Sequence, residues 1–392
     1  MDNFAAGAQI KDTQIKDTQI RPFRIDVPQA DLDDLRDRLA RTRWPDELEG
    51  AAWDYGIPLE VVRELAGYWR AGYDWRAHER RLNSFEQFTT TIDGQNIHFL
   101  HVRSAEPEAL PLVMTHGWPG SVAEFMDVIG PLTDPAGHGG DPADAFHLVI
   151  PSIPGYGFSG PTHERGWDVS RIARAWDELM GRLGYPRYGA QGGDWGSAIS
   201  RELGVAHSGH VIGVHVNMLT YRIPDDPGEL TETEQTRLAA RQRFVKEGQG
   251  YGAIQSTRPQ TLSYGLTDSP AGQLAWIAEK FQAWADGGLA AIDRDWLLTN
   301  VSLYWLTGTA GSSARLYCET TRAGSWARQA RSDTPVGVAN FPREIAPSIR
   351  RFAELTDNIT HWSEFDRGGH FAALEVPDLL VGDVQAFFRS LR

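Results

Sequence analysis

The chain has 392 residues, of which 41% are hydrophobic and 23% charged, and such a composition is that of a globular protein with one large α/β domain or several smaller ones. The formal net charge is −14 and no run of lysine and arginine occurs, which argues against nucleic acid or an anionic membrane as a partner. The single cysteine, Cys318, cannot form an internal disulfide, so we expect a cytoplasmic protein. No secretory signal or membrane-spanning apolar run is present, so we expect neither export nor a membrane anchor.

The first part of the chain differs in character from the rest. Residues 1–20 contain the tandem repeat IKDTQIKDTQI, whose period suits neither a helix nor a strand, and we predict a frayed leader there. Residues 21–85 contain two helical patterns, Asp31 to Arg43 and Pro58 to Gly72, together with four tryptophans. That many large aromatic side chains predict a region that packs against the main body.

A sheet-forming pattern begins at residue 86. Phe88 to Ile92 and Ile97 to Val102 flank Asp93-Gly94, which predicts a β-hairpin. Short apolar strands then alternate with helices, and this alternation predicts an α/β fold with a mostly parallel central sheet covered by helices on both faces. The predicted strands are Leu112 to Thr115, His147 to Ile150, Tyr188 to Gln191, Val211 to Val216, Val336 to Ala339 and Ile359 to Trp362; the predicted helices follow Ser121, span Val169 to Leu183 and Gly196 to Ala206, and end the chain.

The alternation stops over residues 218–333, which are first polar and helical and then rich in aromatic residues. An insertion of this length between two strands is typical of a helical lid over an apolar pocket. We therefore predict a core of residues 86–217 and 334–392 with a lid of residues 218–333.

One sharp turn dominates the candidate chemistry. Gly192-Gly-Asp-Trp-Gly196 joins a predicted strand to a predicted helix, and small residues around a central reactive side chain are typical of the nucleophile elbow of the α/β-hydrolase fold. The reactive position is a carboxylate, Asp194, which can attack a saturated carbon to give an ester that water later cleaves. The alternative is that Asp194 only caps the helix.

A second turn, His116-Gly-Trp-Pro-Gly-Ser121, follows a neighbouring predicted strand. We predict that the backbone N–H groups of Trp118 and Trp195 form an oxyanion hole. We read His116 as a residue that stabilises the turn, and the sequence leaves open whether Pro119 is cis.

The candidate base lies near the end of the chain. His370 occupies a glycine-flanked loop, Arg367-Gly-Gly-His-Phe371, before the last helix, where this fold keeps its histidine. We predict that Glu344, in Phe341-Pro-Arg-Glu344, orients it, with Asp366 as the next choice. Asp357 and Glu364 are further candidates, but carboxylates near a surface are usually only solvated.

With these four motifs in order, the chain resembles the microsomal-type epoxide hydrolases. The resemblance covers nearly everything after residue 20, including the region Trp53 to Phe85, which is similar to that family's N-terminal region, and the lid. It implies that Tyr251, in Gly250-Tyr-Gly252, and Tyr317 hydrogen-bond the epoxide oxygen and donate a proton as the ring opens, and these two assignments rest mainly on it. The family's membrane-anchored members carry an apolar N-terminal helix that does not occur in this sequence, so it resembles a soluble bacterial-style member.

The predicted reaction is the addition of water to an apolar or aryl epoxide, giving a vicinal diol, with no metal or organic cofactor. The resemblance implies a role in detoxification or in antibiotic biosynthesis. One alternative is a haloalkane or haloacid dehalogenase, which uses the same Asp, His and acid, although halide departure needs no proton from a tyrosine. A second alternative is a non-catalytic binding protein for apolar ligands. Whether the protein forms a homodimer stays open.

Overall fold

The structure is a computed structural model that describes residues 19–324 and 330–392. The predicted frayed leader, residues 1–20, lies almost entirely outside the described residues. Residues 325–329 of the predicted lid also lie outside them.

Nine strands form one mixed sheet in the described chain. The sheet order is β1-β2-β3-β5-β4-β6-β7-β8-β9, and the six strands from β5 to β9 in this order run parallel while β1, β2 and β3 are antiparallel to their neighbours. The strands are β1 Arg21–Phe23, β2 Gln87–Ile92, β3 Gln95–Val102, β4 Leu110–Thr115, β5 Phe146–Pro151, β6 Tyr188–Gly192, β7 Val211–Val216, β8 Ser332–Asn340 and β9 Asp357–Glu364.

Sixteen α-helices accompany the sheet in the described residues. They are α1 Gln29–Ala40, α2 Leu59–Ala71, α3 Trp75–Leu82, α4 Met126–Thr133, α5 Val169–Arg182, α6 Trp195–Ala206, α7 Glu232–Arg243, α8 Gly250–Thr257, α9 Pro259–Asp268, α10 Pro270–Trp284, α11 Arg294–Leu306, α12 Ala310–Ser313, α13 Arg315–Ala323, α14 Arg350–Ala353, α15 Ala372–Glu375 and α16 Pro377–Arg389.

Helices cover both faces of the sheet. Successive residues of a strand point to opposite faces, and in β7 the Cα of Gly213 faces Phe387 of α16 while the side chain of Val214 lies against Gly204 of α6. Helix α5 packs beside α6, and α4 packs beside α16. The predicted α/β-hydrolase fold with a mostly parallel sheet is therefore confirmed, and all five residues of β6 are buried between the helical layers.

The predicted hairpin has the expected turn. Asp93 and Gly94 have φ values of 53° and 78°, and two successive positive φ angles are what a two-residue hairpin loop requires. The sequence-based bounds of the core strands and helices differ from the observed ones by at most a few residues. The sequence did not predict β1, α3 or the four-residue helix α14. β1 is a short edge strand without alternating polarity, and α3 is rich in arginine, although its cap, Asp74, accepts a hydrogen bond from the Arg76 N–H at 3.0 Å.

The N-terminal helices pack on helix α11. Trp69 Nε1 donates to Ser302 Oγ at 2.9 Å, Tyr68 Oη donates to Asp295 Oδ1 at 2.7 Å, and the hydroxyls of Tyr73 and Thr299 lie 2.9 Å apart. These aromatic side chains thus connect the N-terminal helices to α11. A separate N-terminal region packed against the main body stays a prediction. Among the helices that the structure describes, none combines the length and apolar character needed to cross a membrane.

Candidate active site

The turn between β6 and α6 places Asp194 at a strained backbone position. Its φ and ψ are 50° and −124°, a conformation that costs a residue with a side chain on the order of 1–3 kcal/mol. Flanking glycines make the turn possible: a Cβ on Gly192 would lie 2.3 Å from the Gly196 backbone, and one on Gly196 would lie 1.8 Å from the Thr115 carbonyl oxygen. The tight turn predicted from the glycine spacing is present.

The second turn meets the Asp194 carboxylate. The Trp118 N–H donates to Asp194 Oδ1 at 2.8 Å, and the Trp118-Pro119 peptide bond is cis. Gly117 allows this approach, since a Cβ there would lie 2.3 Å from Asp194 Cβ. The Trp118 amide predicted to face the elbow therefore does so. Trp195 is the first residue of α6 and its side chain is buried.

His116 has both ring nitrogens occupied by backbone groups. Nε2 accepts a hydrogen bond from the Ile153 N–H at 3.2 Å, and Nδ1 lies 3.0 Å from the Gly117 carbonyl oxygen, to which it donates. Burial lowers the pKa of His116 to about 4, so the ring is neutral at pH 7. This geometry is that of a residue that stabilises the turn.

His370 lies between two carboxylates. Its Nε2 is 3.4 Å from Asp194 Oδ2 and its Nδ1 is 2.7 Å from Glu344 Oε1. Burial opposes the charge on the ring, but the carboxylates of Glu344 and Asp194 outweigh this effect and raise the pKa of His370. The imidazole is thus oriented by Glu344 and electrostatically prepared to take up a proton.

Of the four candidate carboxylates Glu344, Asp357, Glu364 and Asp366, Glu344 is the one in contact with His370. Asp357 Oδ1 accepts from Arg201 Nε at 2.7 Å, and Glu364 accepts from Asn340 and Trp362. Asp366 is exposed. Glu344 Oε1 also accepts from the Ile345 N–H at 2.7 Å, which fixes the carboxylate in place.

Helix α10 helps to hold the His370 loop. The His370 N–H donates to the carbonyl oxygen of Trp284, the last residue of α10, at 3.1 Å. Gly369 lies so close to this segment that a Cβ would be 2.6 Å from the same oxygen. Gly369 therefore allows close packing between this loop and the end of α10, whereas Gly368 has a φ of 98° and faces Val376 and Phe341.

Tyr251 and Tyr317 come together above the elbow from α8 and α13. The Tyr251 ring stacks on Trp118 with centroids 4.9 Å apart, and the Tyr317 ring meets Trp195 edge-on at 4.7 Å. The two tyrosine rings are 5.9 Å apart and both residues are buried. Burial raises the pKa of each phenol, and the charge of Asp194 adds to this effect, so both stay protonated at neutral pH.

Sequence reasoning missed two charged residues beside the site. The Lys280 ammonium lies 4.6 Å from the centre of the Tyr251 ring, a cation–π contact, and pairs with Glu279. Glu124 lines a cavity together with Asp194 and His370, and burial raises the pKa of its carboxyl to about 8. Both lie on helical segments where nothing in the sequence distinguishes them from solvated charges.

Within the described residues, the one group of three side chains with metal-ligating spacing is Asp177, His207 and His210. His207 follows the carboxyl end of α6, whereas Asp194 precedes its amino end. The group is therefore one helix length away from the elbow and shares no residue with it.

Comparison with known proteins gives matches over most of the chain. Residues 20–125 match the family described as "Epoxide hydrolase N terminus", and residues 111–259 match the "alpha/beta hydrolase fold". A relative from Stigmatella aurantiaca (strain DW4/3-1), whose name assigns it provisionally to the epoxide hydrolases, is 48% identical over 376 residues, which are 95% of this chain and 85% of the relative. "Epoxide hydrolase 1" of Sus scrofa is 36% identical over 402 residues, which are 94% of this chain and 88% of that protein. The solved structure of Aspergillus niger epoxide hydrolase superposes with a TM-score of 0.87 at 35% identity, over 96% of this chain and 98% of that one.

The chain belongs to the microsomal-type epoxide hydrolase family. The resemblance seen in the sequence motifs is thereby confirmed. The protein is an epoxide hydrolase, and enzymes of this kind open the three-membered ether with water and need no cofactor.

Proposed function

We propose that this epoxide hydrolase converts an apolar or aryl epoxide into a vicinal diol through an ester of Asp194. The observation that carries the proposal is the 3.4 Å separation of Asp194 Oδ2 from His370 Nε2 beneath two buried tyrosines. An Asp194 oxygen attacks one oxirane carbon and forms a C–O bond while the bond from that carbon to the epoxide oxygen breaks. Tyr251 and Tyr317 hydrogen-bond the leaving oxygen and supply its proton, which lowers the barrier because an alkoxide is strongly basic.

The two oxygens of Asp194 have different neighbours, and this supports different roles. Oδ1 accepts from the Trp118 N–H at 2.8 Å, so we assign it to the carbonyl of the ester and then to the oxyanion. Oδ2 is left to attack the epoxide. The Trp195 amide is the second donor that we propose for the oxyanion.

In the second half of the reaction, His370 takes a proton from water and the water oxygen attacks Cγ of Asp194. The tetrahedral intermediate collapses, the ester C–O bond to the product breaks, and the diol oxygen leaves with the proton from His370. The second proton of the water remains on the Asp194 carboxyl and returns to the tyrosine that gave one up, which restores the free enzyme. Glu344 keeps Nε2 of His370 directed at the site and stabilises the imidazolium.

The aromatic surroundings support an apolar substrate. The rings of Trp118, Trp195, Trp284, Tyr251 and Tyr317 contact one another around Asp194, and such walls bind apolar or aryl groups. A role in detoxification or in antibiotic biosynthesis is part of the proposal. A homodimer and a cytoplasmic location stay predictions.

We also propose a division of labour along the chain. Residues 86–217 and 334–392 form the core with Asp194, Glu344 and His370, residues 218–333 form the lid with both tyrosines, and residues 21–85 brace the lid. The hydrogen bonds from Trp69 and Tyr68 to α11 support this division.

A panel of epoxides that includes styrene-oxide types, run in ¹⁸O-labelled water, tests the proposal. We expect diol formation and, over repeated turnovers, ¹⁸O in the Asp194 carboxylate, because water attacks the ester carbonyl carbon. Asp194→Ala abolishes turnover, and His370→Gln accumulates a covalent ester that mass spectrometry detects. Full hydrolysis by Asp194→Ala contradicts the mechanism.

The same panel separates the alternatives. An assay of halide release from matched alkyl halides detects a dehalogenase. The two buried phenols have no role in such an enzyme, because halide departure needs no proton. If His370→Gln forms no ester with any epoxide of the panel, a non-catalytic binding protein becomes the better account.

A further inference from the structure

A small cavity lies directly against Asp194 and His370. Its volume is about 20 Å³, and on this scale a water molecule needs about 10–15 Å³, so the cavity has room for one water and not for an epoxide. Glu124, Gln191 and Asn217 contribute its polar wall. Tyr251 and Tyr317 are not among its lining residues.

Glu124 reaches the cavity from the short 3₁₀ helix Val122–Phe125. Gly120 makes this position possible, because a Cβ there would lie 1.3 Å from Glu124 Oε1. The backbone of Ser121 hydrogen-bonds the carboxylate. The Glu124 carboxyl is therefore fixed in place with part of its surface facing Asp194 and His370.

The chemistry of Glu124 suits a residue that holds a neutral nucleophile such as water. Burial raises the pKa of Glu124 to about 8, and the charge of Asp194 adds to this effect while that of His370 opposes it. The group is thus mostly a neutral acid at pH 7. A neutral acid offers both an acceptor and a donor to a water molecule and places no second negative charge beside Asp194.

Gln191 adds an independent observation. Its Oε1 is buried and has no hydrogen-bond partner among the described residues, although its Nε2 donates to Asn217 Oδ1 at 3.3 Å. An unsatisfied buried acceptor costs on the order of 1–3 kcal/mol. A water in the cavity that donates a hydrogen bond to Gln191 removes this cost.

We propose that Glu124 holds the hydrolytic water in this cavity against Asp194 Cγ and His370 Nε2, with Gln191 as a second partner. The inference rests on the proposed ester mechanism. One water proton passes to His370 as the water oxygen bonds to Cγ, and the other stays on that oxygen in a hydrogen bond to the Glu124 carbonyl. The ester bond to the product then breaks and His370 returns its proton to the departing oxygen, so Glu124 ends the cycle in its original protonation state.

Single-turnover kinetics test the role of Glu124, because they measure ester formation and ester hydrolysis separately. We expect Glu124→Ala to slow hydrolysis about 10²-fold, the scale of loss when a reactant is misplaced, and to leave the alkylation rate nearly unchanged. The Asp194 ester then accumulates and is detected by mass spectrometry. Glu124→Gln keeps a carbonyl in the same place and is expected to restore most of the hydrolysis rate.

Asp127→Asn is the matched control. It removes an exposed carboxylate one helical turn further along, which pairs with Arg81 and does not line the cavity, so both rates should stay as in the wild type. Glu124→Leu, apolar and similar in volume, serves as the second variant if Glu124→Ala does not fold.

Two outcomes overturn the inference: hydrolysis at the wild-type rate in Glu124→Ala or Glu124→Leu, or an equal fall of both steps in these variants with no recovery in Glu124→Gln. Either result leaves the ester mechanism standing as long as His370→Gln still accumulates the ester. If His370→Gln instead accumulates no ester, the result contradicts the proposed function itself.

Discussion

At the scale of single residues, Asp194 combines a strained backbone with a fixed carboxylate. The positive φ of 50° holds the side chain out of the helix that follows, and the Trp118 amide fixes Oδ1. Such strain persists only where the surrounding structure stabilises it elsewhere. The close contacts of Gly192 and Gly196 supply that support, so the reactive geometry is built before a substrate arrives.

Tyr251 and Tyr317 give the first residue-scale prediction. Replacing either by Phe removes one proton donor but keeps the ring that packs on Trp118 or Trp195. We expect each single variant to slow alkylation by about 10²-fold, and the double variant to slow it further, because the leaving oxygen must depart without a proton. Single-turnover alkylation rates measure the effect.

Tyr156→Phe is the matched control for these variants. Tyr156 is buried, and its hydroxyl has no hydrogen-bond partner among the described residues, so the alkylation rate should stay close to that of the wild type. Unchanged alkylation in both Tyr251→Phe and Tyr317→Phe contradicts their role as proton donors.

At the scale of elements, helix α11 connects the N-terminal helices to the turn of residues 116–121. Its side chains donate to three backbone oxygens of that turn and the helix after it: Trp296 Nε1 to Ala123 at 3.0 Å, Asn300 Nδ2 to Pro119 at 2.7 Å and Tyr304 Oη to Gly120 at 2.7 Å. The opposite side of α11 carries the bonds to Tyr68, Trp69 and Tyr73. The N-terminal helices therefore stabilise the turn that holds Asp194, although they lie outside the site.

The loop between β9 and α15 gives the element-scale prediction. In Gly369→Ala the new Cβ lies 2.6 Å from the Trp284 oxygen and 2.9 Å from the Asp286 nitrogen, and because both are backbone atoms the loop must move. His370 then shifts away from Asp194, and we expect turnover to fall by about 10²-fold. Steady-state kinetics measures the fall in turnover, and thermal unfolding measures any accompanying loss of stability.

Gly382→Ala, in α16, is the matched control, because the added Cβ has no other atom within 4 Å. An alanine there should leave turnover unchanged and keep or raise stability, by up to about 1 kcal/mol, because alanine favours the helix. Wild-type turnover in Gly369→Ala contradicts the view that close packing of this loop against the end of α10 positions His370.

At the scale of the whole molecule, buried neutral histidines tie stability to pH. Burial lowers the pKa of His98 to about 3 and that of His116 to about 4, whereas a histidine in the unfolded chain has a pKa of about 6.5. Below pH 6.5 the unfolded chain therefore binds protons that the folded protein does not. Their contribution to the free energy of unfolding is fully present above pH 6.5 and decreases as the pH falls.

We expect the free energy of unfolding to fall by about 1.4 kcal/mol per pH unit for each of these histidines. For His98 this amounts to about 2 kcal/mol between pH 6.5 and 5. Urea unfolding of the wild type and of His98→Gln at pH 7 and pH 5 measures this loss. We expect the variant to be less stable than the wild type at pH 7, because His98 contacts Ser152 and Gln87. Between pH 7 and pH 5, however, the variant should lose less stability than the wild type. His163→Asn, at an exposed position, is the control with the wild-type pH dependence, and equal losses in all three proteins contradict the prediction.

The sequence by itself determined the parallel sheet, the elbow at Asp194 and the placement of Glu344 and His370 after successive strands. These features follow from local patterns: alternating apolar strands and helices, glycines at a turn, and the rule that parallel strands bring their carboxyl ends to one edge. The pairing of Glu344 with His370 was predictable for that reason, since the carboxylate comes just after β8 and the histidine follows β9.

Only the tertiary structure decided which other charges meet at this edge. Glu124 and Lys280 lie on helical segments with no local signal, and they become part of the site because distant elements bury them beside Asp194 and Tyr251. Burial and electrostatic coupling depend on contacts between residues far apart in the chain. The packing of the N-terminal helices on α11 likewise depends on contacts between residues more than 200 positions apart, which no local pattern encodes.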